Sequence, residues 1–308
     1  MKKKLLPCLI IMSVTLLFPF HLNARESVAL EIKADKRAFT LGEPIIIYVS
    51  LTNTGRTATE VMRILEPDAG FVEYWVKRPD GKDAAFLPWA HKDHPSPLQR
   101  LSPGEAVRAE AKIFFGGDGW TFTKPGRYEI RAVYLKRVNS NRLTVTVLPT
   151  ADEATKRAAD LFLRSDEVGK FLLFEGGDHL SDGIRRLKQA ANQFPQTPHA
   201  SYANFALGAN LMQDFVNFKV NRLRRADPHR AIKYLEKARA YPLTFHYTVN
   251  THLSLIEGYK RVGDSRKAKT VSVDLERVIS TKFRDFQPLL KDIRKRQSIE
   301  LKPIQQTK

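Results

Sequence analysis

One phrase of apolar, small and aromatic residues occurs twice in this chain, and it constrains the C-terminal half more than any other feature. Ile184 to Pro195 reads IRRLKQAANQFP, and Ile232 to Pro242 reads IKYLEKARAYP. In each, an Ile, a Leu and an Ala stand three apart: Ile184, Leu187 and Ala190, then Ile232, Leu235 and Ala238. An aromatic–proline pair closes both, as Phe194-Pro195 and Tyr241-Pro242. Spacings of three and four lie on one stripe of a helix, and a following Pro stops it. A repeated helix that cannot bury its stripe alone must stack on neighbours, so the spacing predicts a helical array, or α-solenoid. Ala190, Ala231 and Ala238 are the small residues that let neighbouring helices approach.

The N-terminus addresses the compartment. Lys2, Lys3 and Lys4 precede an apolar run from Leu5 to Phe20, and a small residue, Ala24, precedes Arg25 and Glu26. This order describes a secretory signal peptide over residues 1–24. The run is short for a membrane span, which needs roughly 20 residues. Export is expected, with an inner-membrane anchor by the uncleaved helix as the alternative. Cys8 is the one cysteine and falls inside the signal, so the mature chain must be held by packing rather than disulfides. After signal cleavage no later segment is apolar enough to span a bilayer.

Period two governs residues 25–149. Val107, Ala109, Ala111 and Ile113 alternate with polar residues, as do Tyr128, Ile130, Ala132 and Tyr134, and Leu143, Val145 and Val147. Each run shows one face to a core and one to water. Ile45 to Leu51 is nearly all apolar, as a central strand is. Turn signals such as Leu41-Gly42-Glu43-Pro44 and Lys124-Pro125-Gly126 separate the runs. The pattern predicts an all-β sandwich. Leu30 to Gly55, with its Gly-Glu-Pro turn and Thr-Asn-Thr-Gly end, resembles the opening of bacterial immunoglobulin-like domains. Lys124 to Tyr134 resembles their penultimate strand. The resemblance implies the fold and no activity. Phe86 to Leu101 departs from it as a long loop.

From residue 150 to 296 the period is helical. Thr150 with Glu153 forms a capping-box signature. Thr197-Pro198 and Asp227-Pro228 each set a capping side chain before a Pro at the first helical position, and Ser165 and Ser181 precede two further helices. Leu207-Gly208 with Leu211, then Ala231, Leu235, Ala238 and Pro242, resemble the two helices of a tetratricopeptide repeat. Leu255, Tyr259, Gly263-Asp264 and Ala268 resemble the next unit. Phe215 to Arg225 lengthens one turn beyond that pattern. The resemblance implies an all-α helix-pair, TPR-like array with a partner-binding groove along its first helices. On that register the groove residues are Tyr202, Met212 and Gln213, then Asn250, Glu257, Lys260 and Arg261. Residues 297–308 form an aperiodic, basic tail.

Charge is uneven: residues 150–308 carry a net +11 against +4 over residues 25–149. Arg222, Arg224, Arg225, Arg230 and Lys233 cluster around the long turn as a basic patch, which would attract an anionic cell-surface polymer. Nucleic acid is not expected, because no interleaved aromatics or known module accompany the cations. His91, Asp93 and His94 read as a polar loop rather than a metal site, with no further ligand cluster in the chain. Gly116-Gly117-Asp118-Gly119 and Gly176-Gly177-Asp178 fit neither a phosphate loop nor a dinucleotide fingerprint and read as turns. No nucleophile elbow or paired-acid constellation is visible. Trp75 is expected in the core, and Trp89 and Trp120 as loop anchors.

The expected molecule is therefore multi-domain: an immunoglobulin-like β-sandwich followed by a TPR-like solenoid. It is expected to be exported, non-enzymatic and without cofactor or metal, and to bind another exported or envelope protein through its helices. The alternative is a carbohydrate or cell-wall polyanion binder using the tryptophans or the basic helices.

Overall fold

A computed structural model describes residues 27–93, 98–217 and 220–300, the side chains of 295–300 excepted. The expected signal segment, His94 and the tail beyond residue 300 lie outside the described residues.

The N-terminal half is built from mixed β-sheets. Strands β1 (Val28–Lys33), β3 (Ile46–Asn53) and β8 (Ala106–Lys112) form an antiparallel sheet in the order β1-β3-β8. A second sheet runs β2 (Ala38–Thr40), β13 (Leu143–Leu148), β11 (Gly126–Tyr134), β5 (Val72–Lys77), β6 (Asp83–Ala85), with β12 (Val138–Asn139) also on β11. Only β2 against β13 is parallel among these pairs. Two short pairs complete this half: β4 (Thr59–Met62) with β7 (Leu98–Leu101), and β9 (Phe115–Gly116) with β10 (Gly119–Trp120). The residues read as alternating do alternate: Tyr128, Ile130, Ala132 and Tyr134 are buried, as are Val145 and Val147. In β5 the buried residues are Val72, Tyr74 and Val76. Trp75, expected in the core, faces the other way and carries the Arg131 guanidinium over its ring at 4.5 Å.

The C-terminal half is helical: α1 (Glu153–Leu163), α2 (Asp166–Phe174), α3 (Ser181–Gln193), α4 (Pro198–Leu211), α5 (Pro228–Ala238), α6 (Phe245–Arg261), α7 (Ser265–Lys282) and α8 (Gln287–Glu300). Successive helices from α2 to α7 pack on one another. Leu187, Ala190, Ala231, Leu235 and Ala238 are completely buried at these contacts. Thr197 and Asp227 cap α4 and α5 through the amides of Ala200 and Arg230. The capping box does not form. Asp152, not Thr150, caps α1, accepting from the Thr155 amide at 2.7 Å. Ser165 precedes α2 but turns its hydroxyl to Asp182, and Ser181 is already the first residue of α3.

One buried apolar cluster runs through both halves. Tyr48 on β3 meets the rings of Phe245 and Phe286 at 5.5 and 4.6 Å. This explains why β3 is apolar on both sides: one face packs on the sheet core, the other on helices. Gly169 on α2 lies where an added Cβ would stand 2.1 Å from the fully buried Phe115 ring. Gly42, at φ +87°, passes under His199, where an added Cβ would stand 2.8 Å from Nε2, and that Nε2 donates to the Leu41 carbonyl at 2.9 Å. Burial pushes His199 down to about 4, despite the Leu41 bond, and keeps the ring neutral.

Charge completes the seam. The Phe245 amide donates to the Asp35 carboxylate, and the His246 amide donates to the Tyr48 hydroxyl at 3.0 Å. The His246 ring bridges Glu110 at 2.6 Å and Glu175 at 2.8 Å, and Lys112 reaches Glu175 at 2.5 Å. Burial alone would drive the imidazolium down. The Glu110 and Glu175 carboxylates outweigh both that and the repulsion of Lys112, lifting His246 to about 9. Glu175 is pushed up by burial, but Lys112 and His246 dominate and hold it well below the usual carboxylate range.

Two outcomes follow from the seam. Gly169→Ala is expected to lower unfolding free energy by about 1–3 kcal/mol through overpacking against Phe115, read from denaturant titration. The raised His246 contributes stability in full below its unfolded value near 6.5 and loses it as pH rises through about 9. The depressed Glu175 contributes above its ordinary value of 4.5 and loses it as pH falls. Melting temperature should therefore decline on the alkaline side, beginning near pH 6.5 and ending as pH passes about 9. The same scan on His246→Gln should start lower and lack the alkaline decline.

Candidate functional site

The long turn between α4 and α5 is a β-hairpin. β14 (Phe215–Asn217) pairs antiparallel with β15 (Arg222–Arg224), and Asn221 takes the left-handed conformation at φ +44°. The sequence was not read as strands here because three residues are too short for alternation to register.

Arg224 clasps this hairpin to the helical body. Its guanidinium donates to Asp178 Oδ2 at 2.5 Å, to the Asn210 carbonyl at 2.8 Å and to the Gln213 carbonyl at 3.1 Å. Asn210 donates to the other Asp178 oxygen at 2.8 Å and accepts from the Gly177 amide at 3.1 Å. The Gly176-Gly177-Asp178 turn thus supplies the anion that seats Arg224. Phe215 stacks on His179 with ring centroids 5.9 Å apart. Asp214 accepts from the Ala226 amide and from Arg225, and these bonds hold its carboxyl below its ordinary value.

The outer face of the hairpin carries apolar side chains into water. Val216, Val220 and Leu223 are 42%, 66% and 44% exposed. Arg222, Arg225, Arg230 and Lys233 are exposed around them. Arg225 is paired with Asp214 and Arg230 with Asp227, whereas Arg222 and Lys233 form no salt bridge among the described residues. The five cations grouped by sequence therefore divide: Arg224 is a structural clasp, and the rest remain at the surface.

The groove residues divide as well. Tyr202 is completely buried and Met212 nearly so, and neither offers a side chain to a partner. The reason lies in α4: every one of its residues is buried. Its segment contains no Asp, Glu, Lys or Arg, and that absence of a polar stripe was the available signal for a fully enclosed helix. Asn250 is half-buried, directed to the His246 ring at 3.2 Å. Gln213, Lys260 and Arg261 are exposed and Glu257 is half-buried. Arg261 bonds Glu257 and the Met212 carbonyl, each at 2.8 Å. Gln213, Glu257 and Arg261 thus meet the base of the hairpin, and the exposed remnant of the groove joins the basic patch in one surface.

The other sequence candidates fall elsewhere. His91 and Asp93 are exposed, His94 lies outside the described residues, and no group of three or more metal-ligating side chains occurs among the described residues. Gly116 to Gly119 turn between β9 and β10. Trp120 is buried at the seam rather than anchoring a loop, its indole donating to the Ser165 carbonyl at 3.3 Å. Among the described residues no helix is long and apolar enough to cross a membrane.

The chain matches no family model and no curated protein. Among solved structures it is similar to a β-glucosidase from Erythrobacter marinus, at 18% identity over 40% of this chain and 15% of that one, with a TM-score of 0.26. It is similar to the CARDB domain of a Pyrococcus furiosus protein solved with di-metal ions, at 17% identity over 39% of this chain and 87% of that domain, TM-score 0.22. A sporulation control protein from Bacillus subtilis gives 10% identity, 44% and 54% coverage and a TM-score of 0.25. The chain spans well under two thirds of the length of the first of these, and at such scores none carries an argument about fold or activity.

Arg224→Ala is expected to unseat the hairpin. Amide exchange over residues 215–225 should accelerate at least tenfold, and stability should fall by about 1.5–3 kcal/mol, the range for hydrogen bonds to charged groups. Exchange rates equal to wild type would rule out the clasp.

Proposed function

We propose that this chain is an exported, non-enzymatic interaction protein that docks another protein on the hairpin-centred surface of its helical half. Export is supported by the lysines, apolar run and small residue of the first 24 positions. The order of the sheets supports an immunoglobulin-like sandwich. The packing of α4 with α5 and of α6 with α7 supports TPR-like pairs.

The observation that carries the reading is the exposure of Val216, Val220 and Leu223 together on a hairpin clasped to the body. Contiguous apolar side chains left in water, rimmed by charge, are the anatomy of an interaction site. The rim here is cationic: Arg222, Lys233 and Lys260 carry no ion pair among the described residues. The partner segment it fits is acidic with apolar anchors, the anchors supplying affinity and the charges the encounter rate.

A second reading rests on the +11 net charge of residues 150–308: retention on an anionic cell-surface polymer. Salt separates the two, because purely electrostatic retention weakens with screening while an apolar anchor holds. Crosslinked capture from an envelope extract at moderate salt is expected to recover an acidic protein. A Val216→Asp, Leu223→Asp variant should lose at least tenfold of that capture, with its melting temperature unchanged. Capture insensitive to those substitutions but abolished by high salt would transfer the function to the polymer.

A further inference from the structure

The seam between the two halves holds a second site, remote in sequence from the hairpin. A cleft of about 280 Å³ opens between β8, the C-terminal end of α2, the first turn of α6 and the chain from Phe86 to Lys92. Its floor is Glu110, Lys112 and His246, and its rim is aromatic and apolar: Trp89, Leu173 and Phe174. Trp89 is 42% exposed and Phe174 52% exposed. Trp89 is held in place, stacked near Phe115 with centroids 6.0 Å apart and under the Lys170 ammonium at 3.9 Å. The chain that presents it is tied down by Gly117 to the Leu87 carbonyl and by Lys92 to the Asp68 carbonyl, at 2.8 and 3.0 Å. The platform is therefore built before any ligand arrives.

The floor has unspent hydrogen-bonding capacity. Glu110 Oε2 is taken by His246, but Glu110 Oε1 is buried and accepts from nothing. An unmade bond of this kind is costly, and native structures rarely leave one without a reason. The Lys112 ammonium has three donors. Two go to Glu175 and to the Leu173 carbonyl at 3.2 Å, and one remains. Glu110 and Lys112 are two apart on β8, so they share a face about 7 Å apart. A donor-seeking acceptor and a spare donor thus stand side by side beneath an aromatic rim.

Charge narrows the ligand class. The acids at the cleft are Glu66, Asp68, Glu110 and Glu175, the last paired with Lys112 and His246, and the cations are Lys92, Lys112, His246 and Lys170 above Trp89. Equal numbers leave no net field to select an anion or a cation. The ligand must be neutral, must offer an apolar face to Trp89 and Phe174, and must both donate and accept hydrogen bonds at its edge. A sugar ring meets each condition: its C–H face stacks on aromatic rings, and each hydroxyl is donor and acceptor at once. The volume lies just under the ~300–1,000 Å³ usual for ligand cavities and suits one ring or the end of a chain.

We infer that this seam cleft binds a neutral saccharide, stacked on Phe174, packed against Trp89 and hydrogen-bonded to Glu110 and Lys112. The hairpin plays no part in this, so the site stands or falls independently of partner docking.

The test is titration of the purified chain with glucose, galactose and N-acetylglucosamine. Calorimetry and the Trp89 indole N–H signal in NMR provide the readouts, and leucine and heparin serve as zwitterionic and polyanionic controls. At least one of the sugars should bind at millimolar concentration or below and shift the Trp89 signal. Phe174 is 52% exposed, so Phe174→Ala should keep the wild-type melting temperature, whereas Trp89→Ala also gives up its Phe115 contact and should lower it slightly. Each should weaken binding about tenfold, the effect of losing one aromatic contact. Val216→Asp should bind sugar as wild type does. The inference is overturned if none of the three sugars binds at millimolar concentration, if leucine or heparin binds more tightly in the cleft, or if binding leaves the Trp89 signal unmoved.

Discussion

The structure depends on how the first turn of α6 is received by the β-rich half. A helix N-terminus presents unsatisfied amides, and Thr244, the residue before α6, gives no side-chain cap. The cap comes from across the molecule: Asp35 takes the Phe245 amide and the Tyr48 hydroxyl takes that of His246. His246 then ties Glu110 on β8 to Glu175 at the end of α2. Backbone caps, a charged bridge and the Tyr48–Phe245–Phe286 ring cluster coincide within one turn. Such a junction leaves little freedom between the halves, since breaking it would strand buried charge and unpaired amides together.

That junction has a consequence for the surface. All of α4 and the start of α6 are buried, and Leu41, Asp35 and Tyr48 of the β-rich half cover part of them. Incompletely satisfied surface is left at two margins. One is the hairpin beyond the C-terminal end of α4, where apolar residues stand among cations. The other is the crevice where β8, α2 and α6 fail to close completely, leaving Glu110 half-satisfied beneath Trp89.

Legibility followed the range of the interactions. Alternation in β11 and β13, the buried stripes of α3 and α5, and the caps Thr197 and Asp227 are contacts within a few residues, and each could be read directly. Thr150 reads as the cap along the chain, but Asp152 offers the same chemistry two residues later and takes the Thr155 amide. Tyr202 was misread because helical register says which residues share a stripe and not what covers it, although the uncharged α4 segment was a signal of enclosure. The hairpin escaped because its strands are three residues each and were taken as an extended turn. His246 left no trace: its carboxylate partners lie 136 and 71 positions away.

By itself, the chain's order of residues determined the class of each segment: extended pairs with one wet face first, then helices that need neighbours. It also determined the uneven charge and the order of lysines, apolar run and small residue at the start, since these are properties of local pattern and count. Only the tertiary structure decided that the two halves share a core, that Trp75 faces outward and Trp120 inward, and that α4 and the start of α6 are already covered. Those outcomes turn on pairings such as Asp35 with Phe245 and Arg224 with Asp178. Their energy depends on distance and burial in space, which spacing along the chain does not encode.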